Sequence, residues 1–259
     1  MKNYGIDVSR HQGTISTFKW NEIRNKAKFV IIRAGYGNSV SQKDPQFESN
    51  YASAKVYGIP VGAYWYSYAS SPEDAQREAQ ACLRVIDGKK FEYPIWYDIE
   101  YEPAILSQSK ASRTACCKAF CNELEKAGYY TGVYCSRDFI TSKLNYSELE
   151  GYDLWVAAYT GADTPGAVPI AYGMWQYSSK NALRIEGFAR SLDCNIAYKD
   201  YPTIIKNVGL NGYGKPDDIE EPVSVWETNG PWRIEGATGG DKIALKEVCE
   251  KYGLKVTKI

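Results

Sequence analysis

The chain has 259 residues, enough for one large barrel domain or for a medium-sized domain with a small appendage. Its 31 basic and 31 acidic residues balance, so we expect no nucleic acid partner. Hydrophobic residues make up 44% of the chain, which is typical of a folded globular protein. No apolar run is long enough to cross a bilayer, so we expect no membrane partner. The N-terminus enters a predicted strand without an apolar signal region, which favours synthesis in the cytoplasm without a signal peptide.

The seven cysteines are an odd number, form no Cys-x-x-Cys pair and are accompanied by one histidine, His11. This pattern argues against a zinc site, and we predict neither a metal nor a cofactor. Reduced, buried thiols are the interpretation that fits best. Cys117 and Cys121 are four residues apart in a predicted helix, so we expect them on one packed face.

Runs rich in β-branched and aromatic residues recur along the chain and predict eight strands. They cover residues 4–9, 28–37, 60–69, 93–100, 130–136, 153–159, 172–179 and 191–198. Helical patterns separate the strands of the first half, at residues 44–58, 71–88 and 109–129.

The second of these helices carries clear boundary signals. Ser71 is a suitable N-cap, Pro72 suits the first helical position, and Gly88 ends the pattern, as Gly128 does for the third helix. Strand and helix alternate to about residue 140, which favours parallel strands, whereas later connections such as TGADTPGAVPIA are short and rich in Gly and Pro. We therefore predict an α/β fold, an irregular eight-stranded TIM-like β/α barrel with helices mainly in its first half.

The composition changes after the eighth predicted strand. We assign residues 1–206 to the barrel, 207–222 to a linker rich in Gly, Pro and acidic residues, and 223–259 to a small α+β module. The sequence pattern of the module predicts one or two strands, a helix between Asp241 and Gly253, and a final strand. So short a module is near the lower limit of independent stability, so we expect it to depend on the barrel or on another chain.

The stretch YPIWYDIEYEP, residues 93–103, places carboxylates at the end of a strand that otherwise reads as buried. Asp98 and Glu100 are two residues apart, so they point to one face, about 6.6 Å apart along the strand. Their repulsion would raise one pKa and leave a protonated acid beside an ionised carboxylate, which is the apparatus of glycoside cleavage. The alternative is the start of an exposed acidic loop that Glu102 continues.

Two more carboxylates favour the catalytic interpretation. Asp7 ends the first predicted strand, and Asp193 is placed at the end of the eighth. In a closed barrel these two strands are neighbours and the fourth lies across the mouth. We therefore expect Asp7, Asp98, Glu100 and Asp193 to converge on one cleft.

Eight segments in order resemble the glycoside hydrolase family 25 lysozymes, over about residues 3–200. They are DVSRHQG, RAGYG, GAYWYSYA, YDIE, VYCS, LWVAAY, MWQYSS and LDCN. The resemblance implies an endolysin-like muramidase that acts on the bacterial cell wall. It would cleave the β-1,4 bond after N-acetylmuramic acid in peptidoglycan, with retention.

By that resemblance, Glu100 is the acid/base, and Asp98 is the nucleophile or the group that steadies a substrate-assisted intermediate. Asp7 and Asp193 would shape the field and hold substrate. Because a linker rich in Gly, Pro and acidic residues precedes the C-terminal module and the eight predicted strands are complete without it, we expect the module to bind the wall or to mediate self-association. Nine residues are candidates for substrate contact, although about half of the side chains of each strand must face away from the cleft. They are Arg33, Tyr36, Trp65, Tyr66, Tyr134, Trp155, Tyr159, Trp175 and Gln176.

Other assignments are weaker. We interpret His11 as a hydrogen-bonded residue just past the first strand. It forms no Ser-His-Asp set, because no Gly-x-Ser-x-Gly nucleophile motif accompanies it. A chitinase-like N-acetylhexosaminidase would carry Asp-x-Asp-x-Glu, but the first of those positions is Trp96. A non-catalytic wall-glycan-binding protein is the third class, and the presence of all four acids argues against it.

Overall fold

The computed structural model describes residues 2–188 and 191–214, and the backbone of three short strands further along the chain. The chain divides into two compact units, residues 1–213 and 214–259.

Eight strands close a barrel in the first unit, in the order in which they occur along the chain. They are β1 (Asn3–Val8), β2 (Val30–Tyr36), β3 (Val61–Tyr66), β4 (Ile95–Asp98), β5 (Thr131–Ser136), β6 (Asp153–Ala157), β7 (Met174–Ser178) and β8 (Asp193–Ala197). Neighbours from β1 to β7 are parallel, whereas β8 is antiparallel to both β7 and β1. The predicted eight-stranded α/β barrel is confirmed, and its closing strand runs in reverse.

Helices surround the barrel and are concentrated before β6. They are α1 (Thr17–Lys26), α2 (Phe47–Val56), α3 (Pro72–Ile86), α4 (Pro103–Leu106), α5 (Lys110–Lys126), α6 (Arg137–Lys143) and α7 (Tyr201–Val208). The predicted cap of α3 is present, since the Ser71 side chain accepts a hydrogen bond from the backbone N–H of Asp74. Helix α1 was not predicted from the sequence. Only Trp20 and Ile23 of this helix are buried, and so narrow an apolar face gives little periodicity.

Side chains alternate between the two faces of the strands, apart from register shifts between Arg33 and Gly35 in β2 and between Gln176 and Ser178 in β7. On β4, Ile95 and Tyr97 pack outward with the helices, whereas Trp96 belongs to the cluster inside the barrel. Trp155 lies at the centre of that cluster, with ring centroids 5.7 Å from Trp96, 4.5 Å from Tyr134 and 6.4 Å from Tyr64. This aromatic floor fills the barrel below its mouth and excludes water from it.

Six cysteines lie among the described residues, and all six are buried free thiols. Cys117 and Cys121 both lie on the buried face of α5, as predicted. No helix among the described residues is long and apolar enough to cross a membrane.

The second unit contains a three-stranded antiparallel sheet. Its strands are β9 (Trp226–Thr228) at the centre, with β10 (Arg233–Ile234) and β11 (Val256–Lys258) on either side. The predicted helix between Asp241 and Gly253 lies outside the described residues. The boundaries at 1–206, 207–222 and 223–259 stay a prediction.

Asn211, within the predicted linker, fastens several loops at the end of the barrel opposite the mouth. It is fully buried and has a left-handed backbone with φ of 55°. Its side-chain oxygen accepts from the Tyr130 N–H at 2.7 Å, and its amide nitrogen donates to the carbonyls of Phe91 at 3.2 Å and Tyr93 at 2.9 Å. All its side-chain polar atoms are therefore satisfied.

We predict that Asn211→Ala lowers the free energy of unfolding by roughly 3 kcal/mol, because it removes three buried hydrogen bonds and leaves their partners unpaired. Asn211→Gly should cost somewhat less, since glycine adopts a positive φ without strain. Urea titration measures both variants, and Asn207→Ala on the exposed face of α7 is the control. A loss below about 1 kcal/mol for Asn211→Ala would contradict the role of Asn211 as a fastener.

Candidate active site

Four carboxylic acids meet at the mouth of the barrel. Asp7 and Asp98 lie at the C-terminal ends of β1 and β4, and Glu100 follows β4 by two residues. Asp193 was predicted to end the eighth strand, but it is the first residue of β8. Because β8 is antiparallel, its first residue lies at the same rim as the ends of the other strands, directly opposite Asp7 in the β1–β8 register.

A cleft of about 240 Å³ contains these four acids. Most of the candidate contact residues also line it: Arg33, Tyr66, Tyr134, Trp155, Tyr159 and Gln176. Tyr64 and His11 complete its walls. The structure thus brings together ten of the thirteen residues that the sequence singled out.

Three candidates do not line the cleft. Trp65 is fully buried on the outer face of β3, where its ring covers Gly35 and its Nε1 donates to the Gly37 carbonyl at 2.9 Å. Trp175 is buried on the outer face of β7 and donates to the Ala158 carbonyl at 2.8 Å. Tyr36 ends β2 at the rim, with its ring against Tyr68 and below the guanidinium of Arg10.

Two residues at the site, Tyr64 and Asn195, were not predicted from the sequence. Both could have been found from the period of two, because Tyr64 shares its face with Tyr66 and Asn195 shares its face with Asp193. His11 was interpreted as hydrogen-bonded, and its backbone N–H does bond to the Ser9 side chain at 3.2 Å. Its ring nevertheless lines the cleft, where burial and the charges of Arg33 and Arg10 lower its pKa.

Two amide side chains hold Asp7 in place. Its Oδ2 accepts hydrogen bonds from Gln176 Nε2 at 2.9 Å and from Asn195 Nδ2 at 2.8 Å. Gln176 is itself oriented by the hydroxyls of Tyr134 and Tyr159, which donate to its Oε1 at 2.9 and 2.6 Å. Each amide can therefore present only its donor to the carboxylate.

Burial raises the pKa of Asp7, and the negative charge of Asp193 raises it further. The two amide hydrogen bonds oppose this rise. Burial also raises the pKa of Asp193. The Asp7–Asp193 pair therefore tends to retain a proton at pH values where exposed aspartates have lost theirs.

Asp98 and Glu100 form a second pair, and burial raises the pKa of both groups. The negative charge of Glu100 raises the pKa of Asp98 further, whereas the interaction with Asp98 lowers that of Glu100. Asp98 is only 4% exposed and its Oδ1 has no hydrogen-bond partner among the described residues. The alternative of an exposed acidic loop is therefore wrong for these two residues.

The guanidinium of Arg33, one partner of a buried ion pair, lies in the wall of the cleft. Arg33 Nε donates to Asp44 Oδ2 at 2.6 Å, and Asp44 is also held by the backbone N–H groups of Arg10 and Gln46. The Nη2 atom of Arg33 is buried without a hydrogen-bond partner among the described residues. Arg33 thus has an unused donor in the wall of the cleft.

The family model of glycosyl hydrolases family 25 matches residues 6–185. The chain belongs to glycosyl hydrolase family 25. The matched range contains Asp7, Asp98 and Glu100, whereas Asp193 and the reversed strand β8 lie beyond it. No curated protein matches the sequence significantly.

Solved structures with the same fold include other members of family 25. The modular autolysin LytC from Streptococcus pneumoniae is 28% identical with a TM-score of 0.66, over 76% of this chain and 47% of LytC. This chain therefore spans about half the length of that autolysin. The CTP1L endolysin is also 28% identical, with a TM-score of 0.66 over 79% of this chain and 70% of its own. A family 25 lysozyme from Aspergillus fumigatus, 22% identical with a TM-score of 0.62 over 80% and 98% of the two chains, shares the fold.

The cleft of this family 25 protein combines four acids whose pKa is raised with walls of aromatic side chains. Within the described residues, no group of three or more His, Cys, Asp or Glu side chains is arranged to hold a metal ion. What the arrangement can do is donate a proton from one carboxyl group and present a second carboxylate to a developing positive charge.

We predict that Asp7→Asn stabilises the protein increasingly as pH rises. A carboxyl group whose pKa is raised by folding contributes its full stability below the pKa of the unfolded chain, about 3.9, and loses it as pH rises through the folded pKa. Asparagine keeps an oxygen for Gln176 and Asn195 but never ionises. We expect a gain of about 1 to 2 kcal/mol at pH 8, or roughly 2 to 8 °C in Tm, and little gain at pH 4.

Thermal unfolding at several pH values tests this expectation. Asp163→Asn, at an exposed loop position, is the control and should show no such trend. A Tm difference between Asp7→Asn and wild type that is constant from pH 4 to pH 8 would contradict the raised pKa.

Proposed function

We propose that this chain is a muramidase, which hydrolyses the β-1,4 bond between N-acetylmuramic acid and N-acetylglucosamine in peptidoglycan. The observation that carries the proposal is the buried Asp98–Glu100 pair in a cleft that holds two further acids. The autolysin LytC has also been solved in complex with a synthetic peptidoglycan ligand, which supports the substrate class.

We assign the acid/base role to Glu100 and the role of nucleophile or intermediate stabiliser to Asp98. Glu100 is half-buried, whereas Asp98 is deep in the cleft, so Glu100 is the better placed to reach a glycosidic oxygen. Burial raises the pKa of both groups, so the two carboxyl groups tend to share one retained proton. As the sugar develops positive charge over Asp98, ionised Asp98 becomes favoured and the shared proton is available to the leaving oxygen through Glu100.

The closeness of the two carboxyl groups supports retention. Inverting glycosidases separate their carboxyl groups by about 6.5 to 9.5 Å, so that a water molecule fits between base and sugar. Asp98 and Glu100 are two residues apart and influence each other's pKa, which favours the shorter separation of retaining enzymes, about 5 to 5.5 Å. Water would instead attack after the leaving sugar has departed, activated by Glu100 acting as a base.

Asp7 and Asp193 are proposed to set the field of the cleft and to hold substrate hydroxyls. Their negative charges raise the pKa of the catalytic pair, since Asp7 acts on Asp98 and Asp193 acts on Glu100. This keeps a proton on the pair nearer to neutral pH. Arg33, through its unused Nη2 donor, is proposed to bind a carbonyl or carboxylate oxygen of the sugar over Asp98.

We predict that Glu100→Gln lowers turnover of peptidoglycan by roughly 10²- to 10⁴-fold, because general acid assistance is lost. Glu150→Gln is the matched control, because Glu150 is exposed and does not line the cleft. The rate of turbidity loss of a wall suspension measures both variants after circular dichroism has shown that they are folded. Retention of more than about a tenth of the wild-type rate by Glu100→Gln would refute the acid/base role.

The cleavage site predicts the chemistry of the new chain end. Hydrolysis after N-acetylmuramic acid leaves muramic acid at the reducing end, so borohydride reduction of a peptidoglycan digest should yield muramitol. Acid hydrolysis followed by mass spectrometry identifies the sugar alcohol. Glucosaminitol in place of muramitol would show that the other glycosidic bond is cut.

The C-terminal unit is proposed to bind the wall or to mediate self-association without taking part in catalysis. A tether of this kind acts by raising local concentration and leaves the chemistry unchanged. We therefore expect truncation after Tyr213 to leave turnover of short soluble glycans nearly unchanged, and either to weaken sedimentation with walls or to convert an oligomer to a monomer in light scattering. Loss of soluble-glycan turnover in a folded truncated protein would assign the C-terminal unit a part in the cleft.

A further inference from the structure

A second pocket of about 370 Å³ adjoins the acidic cleft. We call it the Arg137 pocket. Its walls include Glu100, Tyr101, Ser136, Arg137, Asp138 and Tyr159. Most of these residues follow β4, β5 and β6, so the pocket lies on one flank of the mouth.

Glu100 stands on the boundary between the two cavities. Together with Tyr134 and Tyr159, it lines both the cleft and the Arg137 pocket. Asp98 and Arg33 line the cleft alone. The catalytic pair is therefore asymmetric, with one carboxyl group facing a single cavity and the other facing two.

This asymmetry indicates which of the two cavities holds the sugar on each side of the cleaved bond. A general acid must reach the glycosidic oxygen, which lies between the two sugars, whereas the second carboxylate lies beneath the sugar that develops positive charge. The geometry points to the Arg137 pocket as the binding site of the sugar on the leaving side of the cleaved bond, with the sugar that becomes the new reducing end in the cleft over Asp98. This assignment rests on the proposed function.

The walls of the Arg137 pocket suit a hydroxylated ring. The Tyr101 side chain is 46% exposed, and its ring is fixed edge-on against Phe139, with centroids 5.1 Å apart, while its hydroxyl donates to Asp138. Arg137 is held by the Pro165 carbonyl, to which its Nη1 donates at 2.5 Å. The aromatic ring, the cation and the carboxylate are already held in place. They can therefore stack on a sugar ring and hydrogen-bond to its hydroxyls without a further loss of side-chain freedom on binding.

Two substrates with the same sugars over Asp98 test the assignment. The first is the tetrasaccharide with two N-acetylglucosamine–N-acetylmuramic acid repeats, and the second is the β-fluoride of one such disaccharide, whose leaving group is a single atom. Tyr101→Ala should lower the ratio of kcat/KM for the tetrasaccharide to kcat/KM for the fluoride by about 10-fold, which corresponds to about 1.4 kcal/mol of lost binding to the leaving sugar. Tyr101→Phe, which keeps the ring, should retain most of the ratio.

Tyr68→Ala is the matched control, because the Tyr68 ring is similarly exposed at 44% but does not line the Arg137 pocket. Its ratio should equal that of wild type, since both substrates are identical on the other side of the bond. A ratio that Tyr101→Ala leaves unchanged, with wild type active on both substrates, would overturn the assignment alone. A wild-type protein that cleaves neither substrate would overturn the proposed function, and the assignment with it. Turnover of the fluoride by each variant shows that it is folded.

Discussion

Electrostatic repulsion among four carboxylic acids is the constraint around which the mouth of this barrel is arranged. The strand register places Asp7 opposite Asp193, and the end of β4 places Asp98 and Glu100 across from them. The aromatic floor beneath, built around Trp155 and Trp96, removes water that would otherwise screen their charges. Burial therefore raises the pKa of every member of the set, and the protein keeps protons where an exposed surface would release them.

The surroundings hold these acids without neutralising most of their charge. Asp7 is positioned by the amides of Gln176 and Asn195, which fix a geometry but carry no charge. A lysine or arginine in their place would put a positive charge beside Asp7, and this charge would offset the effect of Asp7 on the pKa of Asp98. The guanidinium of Arg33, which lines the cleft, is already paired with Asp44, and this pairing limits its effect on the catalytic pair. Neutral hydrogen-bond donors therefore preserve the protonation state that general acid catalysis requires.

The sequence predicted the acids better than it predicted the aromatic residues around them. Asp98 and Glu100 could be placed on one face because their spacing matches the period of a strand, and the fold followed from eight ordered motifs. Trp65 and Tyr66 are adjacent, so only one could face the cleft, and the sequence did not show which. The structure decides it through the β3–β4 register, in which Tyr66 is the partner of Asp98.

The reversal of β8 was not predictable from its own residues, since an alternating pattern is the same in both directions. Asp193 reaches the mouth from the start of its strand because β8, which closes the barrel, runs antiparallel to β1.

The reversed strand also bears on how the protein folds during synthesis. The hydrogen bond between Asn195 and Asp7 joins residues 188 positions apart, and the β1–β8 pairing is of similar range, whereas the other barrel pairings join consecutive strands. Contacts of such long range form late because their loop-closure entropy is large. One edge of β1 therefore stays open until β8 has left the ribosome, and an open edge is where a nascent chain pairs wrongly with another. The seam that closes last is also the one that brings Asp7 and Asp193 together, so the repulsion between these two acids arises only after the remaining strands are in place to hold them.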